Sequence, residues 1–179
     1  NGSDINDAIN RKNKNFFRTT LIEDVLPNLI IPQTNAPLIE SLQDGIVVAD
    51  IGCGYGASTI ALAQEFPQST FYAFESSPSA LKAIAASKKR HKLQNIVVCD
   101  VSSRTVGDGP DSTDTNNRHG KDKRYSNEKP YFDFVYAHDV LHDMPNPRQL
   151  IQDVKSTLHP THGCWFIVDI DCSESVQDN

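Results

Sequence analysis

Between residues 46 and 170, short apolar runs rich in β-branched and aromatic residues alternate with segments of helical spacing. The runs fall at 46–51, 70–75, 95–100, 132–137 and 164–170. Between them lie Ile60, Leu62, Ala63 and Phe66, then Leu81, Ile84 and Ala85, then Leu150, Ile151, Val154 and Leu158. A strand that is apolar at almost every position is buried on both faces, so helices must cover it. Strands separated by helices of this length close as right-handed crossovers between parallel neighbours. The local signals agree. Pro67 ends the first helix. Ser76 or Ser77 caps the second with Pro78 just inside, and Lys88, Lys89 and Arg90 suit its C-terminal end. Asn146 caps the third. The predicted class is α/β, a mostly parallel sheet with helices on both faces, cut off after the fifth strand.

The chain has 179 residues, enough for one domain with a real core. Residues 1–44 are predicted to be an N-terminal helical segment, with a helix over 16–31 disturbed at Pro27 and a short one at 37–42. Residues 45–179 form the main domain. Residues 102–130 hold mostly Gly, Asp, Asn, Ser, Lys and Arg, with Val106 as the lone aliphatic, and are predicted to be a flexible insertion replacing a helix. Net charge is −6. That argues against the basic face of a large nucleic-acid footprint. No apolar run approaches the ~20 residues of a membrane span. Cys53, Cys99, Cys164 and Cys172 form no CxxC pair, so buried reduced thiols in a cytoplasmic protein are expected and a zinc knuckle is not. The start, Asn1-Gly2-Ser3, has neither Met nor a signal-peptide pattern, and the expectation is a piece of something longer.

Asp50-Ile51-Gly52-Cys53-Gly54-Tyr55-Gly56 joins the first strand to the first helix. Glycines there allow a tight turn and close approach of a ligand to main-chain N–H groups. Glu75 stands at the tip of the second strand, where a carboxylate accepts both hydroxyls of a ribose. Two cofactor classes fit. Gly52-x-Gly54-x-x-Ala57 satisfies a dinucleotide pattern, with Glu75 at about the ~20-residue separation expected. Asp50 beside the turn, however, disfavours a pyrophosphate and favours the cationic S-adenosylmethionine.

Residues 47–56 resemble motif I of the class I S-adenosylmethionine-dependent methyltransferases. The resemblance runs on through Phe74-Glu75-Ser76, Val98-Cys99-Asp100-Val101, the stretch Phe132 to Asp139, and Leu158-His159-Pro160-Thr161-His162-Gly163. Asp139-Val140-Leu141-His142-Asp143 is similar to a subgroup with Asp-x-hydrophobic-His-Asp after the fourth strand. Longer members of that subgroup carry a winged-helix-like segment first, of which residues 15–44 would be the tail. The resemblance implies a Rossmann-like fold and S-adenosyl-L-methionine as cofactor. Gly52, Cys53, Gly54 and Gly56 would approach its methionine part, with Asp50 orienting the ammonium. Glu75 would hold the ribose, and Ser76 would lie beside the adenine. Asp100 would accept from the adenine amino group, Val101 would pack on the ring, and His138 would line the methionine end.

His138, His142 and Asp143 are the candidates for an acid–base role toward the acceptor. A zinc reading of His138-Asp-x-x-His142 is set aside, because Pro145 and Pro147 stop the helix that such a motif needs; no metal is expected. The expected activity is methyl transfer to an unidentified small-molecule or protein acceptor. The alternatives are an inactive methyltransferase-like binding module and an NAD-dependent oxidoreductase. The family's usual helix and hairpin after strand five have no counterpart in the polar residues 171–179. The fifth strand is thus expected to be an apolar edge that a partner or further chain covers, and the stretch alone is expected to bind cofactor more readily than to turn over.

Overall fold

The computed structural model describes residues 17–111 and 130–170. Five parallel strands make the main sheet: β3 (Val47–Ile51), β4 (Thr70–Glu75), β5 (Ile96–Asp100), β6 (Phe134–His138) and β7 (Cys164–Val168). Their order is β5-β4-β3-β6-β7. The chain therefore builds outward from β3 to one side, then returns to its other side with β6. That reversal at the C-terminal tips of β3 and β6 opens a crevice, the usual ligand position in such sheets.

The strands bury both faces, and the two-residue period separates two cores. Val48, Phe71, Ala73, Phe134 and Tyr136 meet Ile60, Leu62 and Ile84 of two helices, α2 (Ala57–Glu65) and α3 (Pro78–His91). Val47, Ala49, Tyr72, Phe74, Val135 and Ala137 face the opposite layer with Val154 of α4 (Pro147–Thr157). The expected caps are present: Ser77 accepts from the Ala80 N–H and Asn146 from the Gln149 N–H.

The N-terminal segment departs from expectation. A π-type helix, Phe17–Val25, runs into one tight turn, Leu26–Asn28, that contains Pro27, and the helical stretch stops there rather than continuing to Ile31. Ile30–Ile31 (β1) then pairs antiparallel with Ala36–Pro37 (β2) ahead of helix α1 (Leu38–Asp44). Proline has no N–H to extend the helix, and Asn35 at φ 54° takes the left-handed turn conformation. Phe17, Leu21, Ile22 and Leu26 join the core of the main sheet, so this segment packs as part of the domain.

The predicted insertion also needs correcting at its start. Val106 is 4% exposed and packs against the α4 layer. The Arg104 guanidinium lies 5.0 Å over the Tyr72 ring and bonds the Gly109 carbonyl at 2.7 Å. The Asp111 N–H donates to the Tyr72 hydroxyl at 2.7 Å. One aliphatic and one stacked cation thus order residues 102–111, which composition alone did not show. Residues 112–129 of that insertion, the polar residues 1–14, and 171–179 lie outside the described residues. No described helix is long and apolar enough to cross a membrane.

Ser69 fastens the N-terminal edge of the sheet. Fully buried, it donates to the Leu42 carbonyl at 2.6 Å and accepts from the Ile46 N–H at 3.0 Å. Alanine there strands two backbone groups, so Ser69→Ala is expected to lower stability by about 2 kcal/mol. Urea unfolding of both proteins measures this; an unchanged midpoint would show that the bonds are replaced by water.

Candidate functional site

The turn after β3 is held by its own backbone bonds. The N–H groups of Gly52 and Cys53 both donate to the Phe74 carbonyl, at 2.9 and 3.2 Å, and the Gly56 N–H donates to Cys53. Gly52 has φ +63°, and a Cβ on it would overlap the Val140 side chain, so only glycine fits. Gly54 has φ +55°, and its Cβ position meets open space. The turn therefore does not present a row of unused N–H groups. The Gly54 N–H points across the mouth of the crevice to Glu75 Oε2 at 2.8 Å.

Glu75 ends β4 with its carboxylate fully engaged. Besides Gly54, it accepts at Oε1 from the N–H groups of Ser76 at 2.7 Å and Ser77 at 2.8 Å. Beside it opens a cavity of about 520 Å³. Gly52, Glu75 and Ser76 form one wall, and Val101, Val106 and Leu150 supply much of the apolar surface. Val101, 38% exposed just past the tip of β5, lines the cavity. Asp100 pairs in register with Glu75, but it is solvated and accepts from the Ser102 N–H at 2.9 Å. Those bonds from Ser102 hold its carboxyl below the ordinary range. The cavity also draws on Thr105, Met144, Asn146 and Gln149, which sequence reasoning missed. Their only signal was position: Thr105 and Met144 in the segments after β5 and β6, Asn146 and Gln149 at the start of α4.

Three of the assigned residues, Asp50, Cys53 and His138, turn inward or away from the cavity. Asp50 is 1% exposed, and its Oδ2 accepts from the hydroxyls of Ser58 at 2.7 Å and Thr59 at 2.6 Å. Burial pushes its carboxyl up to about 6, against the opposing hydrogen bonds from Thr59 and Ser58. These bonds fix the first turn of α2, so direct orientation of a ligand's ammonium has no support in this geometry. The charge argument against a pyrophosphate weakens with it. Cys53 is buried, and desolvation with the Asp50 charge raises its thiol well above the usual range. His138 lies outside the cavity lining; its ring meets Phe17 edge-on at 5.2 Å and stacks on Tyr136 at 6.2 Å.

Across the crevice the tips of β6 and β7 come together. Asp139, at φ 56°, turns the chain into a short helical turn, Leu141–Asp143. Asp169, just past β7, accepts from the Leu141 N–H at 2.9 Å with Oδ2. Its Oδ1 lies 2.6 Å from His142 Nδ1. A carboxylate only accepts, so Nδ1 carries the proton and Nε2 keeps a lone pair. The hydrogen bond to Asp169 raises the His142 pKa above its ordinary value, and the same bond lowers that of Asp169. Asp143 Oδ2 lies 3.5 Å from Nε2. Val140 and Asp143 line the cavity, whereas His142, between them in the chain, is not part of its lining. Asp169 was not among the sequence candidates; a carboxylate at a strand tip was the available signal. Asp139, His142 and Asp169 also bring ligand atoms within 4.8 Å of one another, a set able to hold a cation. The short bond to Asp169 already commits Nδ1.

The family described as a methyltransferase domain matches residues 49–165. No curated protein matches the chain. Among solved structures, a protein assigned as a sarcosine dimethylglycine methyltransferase from Galdieria sulphuraria is 21% identical, with TM-score 0.55 over 73% of this chain and 42% of its own. The YcgJ protein of Bacillus subtilis is 16% identical, with TM-score 0.52 over 71% and 45%. Coclaurine N-methyltransferase, solved with N-methylheliamine and S-adenosylhomocysteine, is 21% identical, with TM-score 0.51 over 74% and 36%. The chain thus spans less than half the length of these structures, and their likeness establishes the fold. The matched stretch runs from within β3 to within β7 and includes the glycine turn, Glu75 and the His142 turn. By that match, and by the five-stranded parallel sheet that carries it, the chain belongs to the methyltransferase-domain family of the class I fold.

Proposed function

We propose that this domain binds S-adenosyl-L-methionine in the crevice beside Glu75 and serves methyl transfer to an acceptor held near His142. The observation that carries this is the carboxylate at the tip of β4, set between the glycine turn and a largely apolar cavity of about 520 Å³. With Asp50 turned into the protein, the choice of this cofactor over a nicotinamide dinucleotide rests on the family match.

The residues fit such a nucleoside. Glu75 can exchange its bond to the Gly54 N–H for ribose hydroxyls, which releases that N–H toward the ligand. Val101 and Leu150 offer the flat apolar contact a purine needs, and Ser76 gives a hydroxyl at its edge. When bound, the sulfonium supplies an activated methyl group and leaves as a neutral thioether. The protein's part is then mainly placement of the acceptor in line with that methyl. In this reading His142 takes the proton that the acceptor loses. Its Nε2 lone pair faces away from the Asp169 bond, and Asp169 stabilises the imidazolium that forms.

The decisive measurement is calorimetry with S-adenosylhomocysteine on the full chain, with NAD as the comparison. Preferential binding of S-adenosylhomocysteine is expected, and preferential binding of NAD would sink the proposal. Glu75→Ala is expected to weaken S-adenosylhomocysteine by about 1–3 kcal/mol, roughly 5- to 150-fold, through lost charge-assisted bonds. Equal affinity in a folded variant removes the ribose assignment.

The His142 reading has its own test. Because Asp169 stabilises the protonated ring, His142 should stay protonated to a higher pH than an ordinary imidazole, and base function should fade as pH falls through that raised value. Asp169→Asn should shift its NMR titration to lower pH. A midpoint that does not move would separate the two residues.

A further inference from the structure

The cavity beside Glu75 holds a carboxylate that the proposed chemistry leaves unused. Asp153 lines it together with Gln149 and Leu150, and spacings of four and three residues put it on one face of α4 with both. Gln149 Nε2 donates to Asp153 Oδ1 at 2.8 Å. A Cβ on Gly107 would stand 3.0 Å from Asp153 Cγ, so the backbone of the Val106–Asp108 turn lies close against the carboxylate. Two neighbours thus limit where Asp153 can point. A carboxylate has about four acceptor sites, so the bond to Gln149 leaves capacity for a ligand.

Other polar side chains of the wall are already engaged. Glu75 serves the ribose in the proposed function. The Thr105 hydroxyl donates to Asp108 Oδ2 at 3.2 Å. Asn146 Oδ1 accepts from the Gln149 N–H at 3.2 Å as the cap of α4. Asp143 belongs to the turn after β6, beside His142. Asp100, which the family resemblance offered for the adenine amino group, does not line the cavity. Adenine carries an amino donor where hypoxanthine and guanine carry a carbonyl oxygen. A carboxylate only accepts, so it bonds the first and repels the others.

We propose that Asp153, held by Gln149, accepts from the adenine amino group and makes the cavity specific for an adenine nucleoside. The inference rests on the cofactor reading above, in which the purine lies on Val101 and Leu150. Asp153 follows Leu150 by one helical turn, so a ring resting on Leu150 has the carboxylate at one edge. Base selection then belongs to α4 and the turn that packs on it, and not to the tip of β5.

The test is calorimetry on the full chain with S-adenosylhomocysteine and with S-inosylhomocysteine, in which an oxygen replaces that amino group. The wild type is expected to prefer S-adenosylhomocysteine by about tenfold or more, the range of a hydrogen bond to a charged group. Asp153→Asn keeps the shape and the acceptor for Gln149 but adds a donor, and should erase most of that preference. Gln149→Met removes only the donor that holds the carboxylate and should reduce it. Asp100→Asn should leave it intact. A wild type that does not bind S-adenosylhomocysteine removes the cofactor reading and this one with it. Binding without preference in the wild type, or a preference lost in Asp100→Asn, overturns the Asp153 assignment alone. So does a preference that survives in Asp153→Asn or, should that variant not fold, in Gln149→Met.

Discussion

Every residue of β3 is buried, and the strand is flanked on both sides and covered on both faces. A strand so enclosed has one way out, a sharp reversal at its C-terminal tip. That reversal needs left-handed backbone at Gly52, Gly54 and Gly56, with Val140 leaving no room for a Cβ on Gly52. The same tip is where the sheet changes direction, so the turn and the crevice arise together. Site and fold are thus one constraint seen from two sides.

Burial of β3 also explains why Asp50 does not meet the ligand. A carboxylate enclosed in this strand must find donors at once, and Ser58 and Thr59 on the first turn of α2 supply them. Its role is to fix the helix that follows the glycine turn. Glu75, one strand over and half-buried, stands where solvent begins. It is the carboxylate able to trade an internal bond for an external one. Two acids that look equivalent in sequence are separated by a single strand tip.

The acceptor side follows a similar logic. β6 and β7 are parallel neighbours, so residues just past their ends become adjacent although Asp139 and Asp169 lie far apart in the chain. His142 gains a fixed tautomer only from that adjacency. At the opposite edge, Asp133 and His162 meet because the starts of the same strands are also neighbours. A parallel sheet thus gathers polar residues at both ends.

The sequence by itself determined the five strands, the three helices of the main sheet, the glycine turn and the family, because these are written in local spacing, caps and a contiguous motif. It also put Glu75 and Val101 at strand ends, and both line the cavity. Tertiary structure decided what no local pattern encodes: that Asp50 faces inward, that His138 packs on Phe17, that Val106 and Arg104 order residues 102–111, and that His142 pairs with Asp169. Each depends on which distant segment lies alongside. Side-chain direction at a strand tip is set by those neighbours, and a one-dimensional pattern does not contain them.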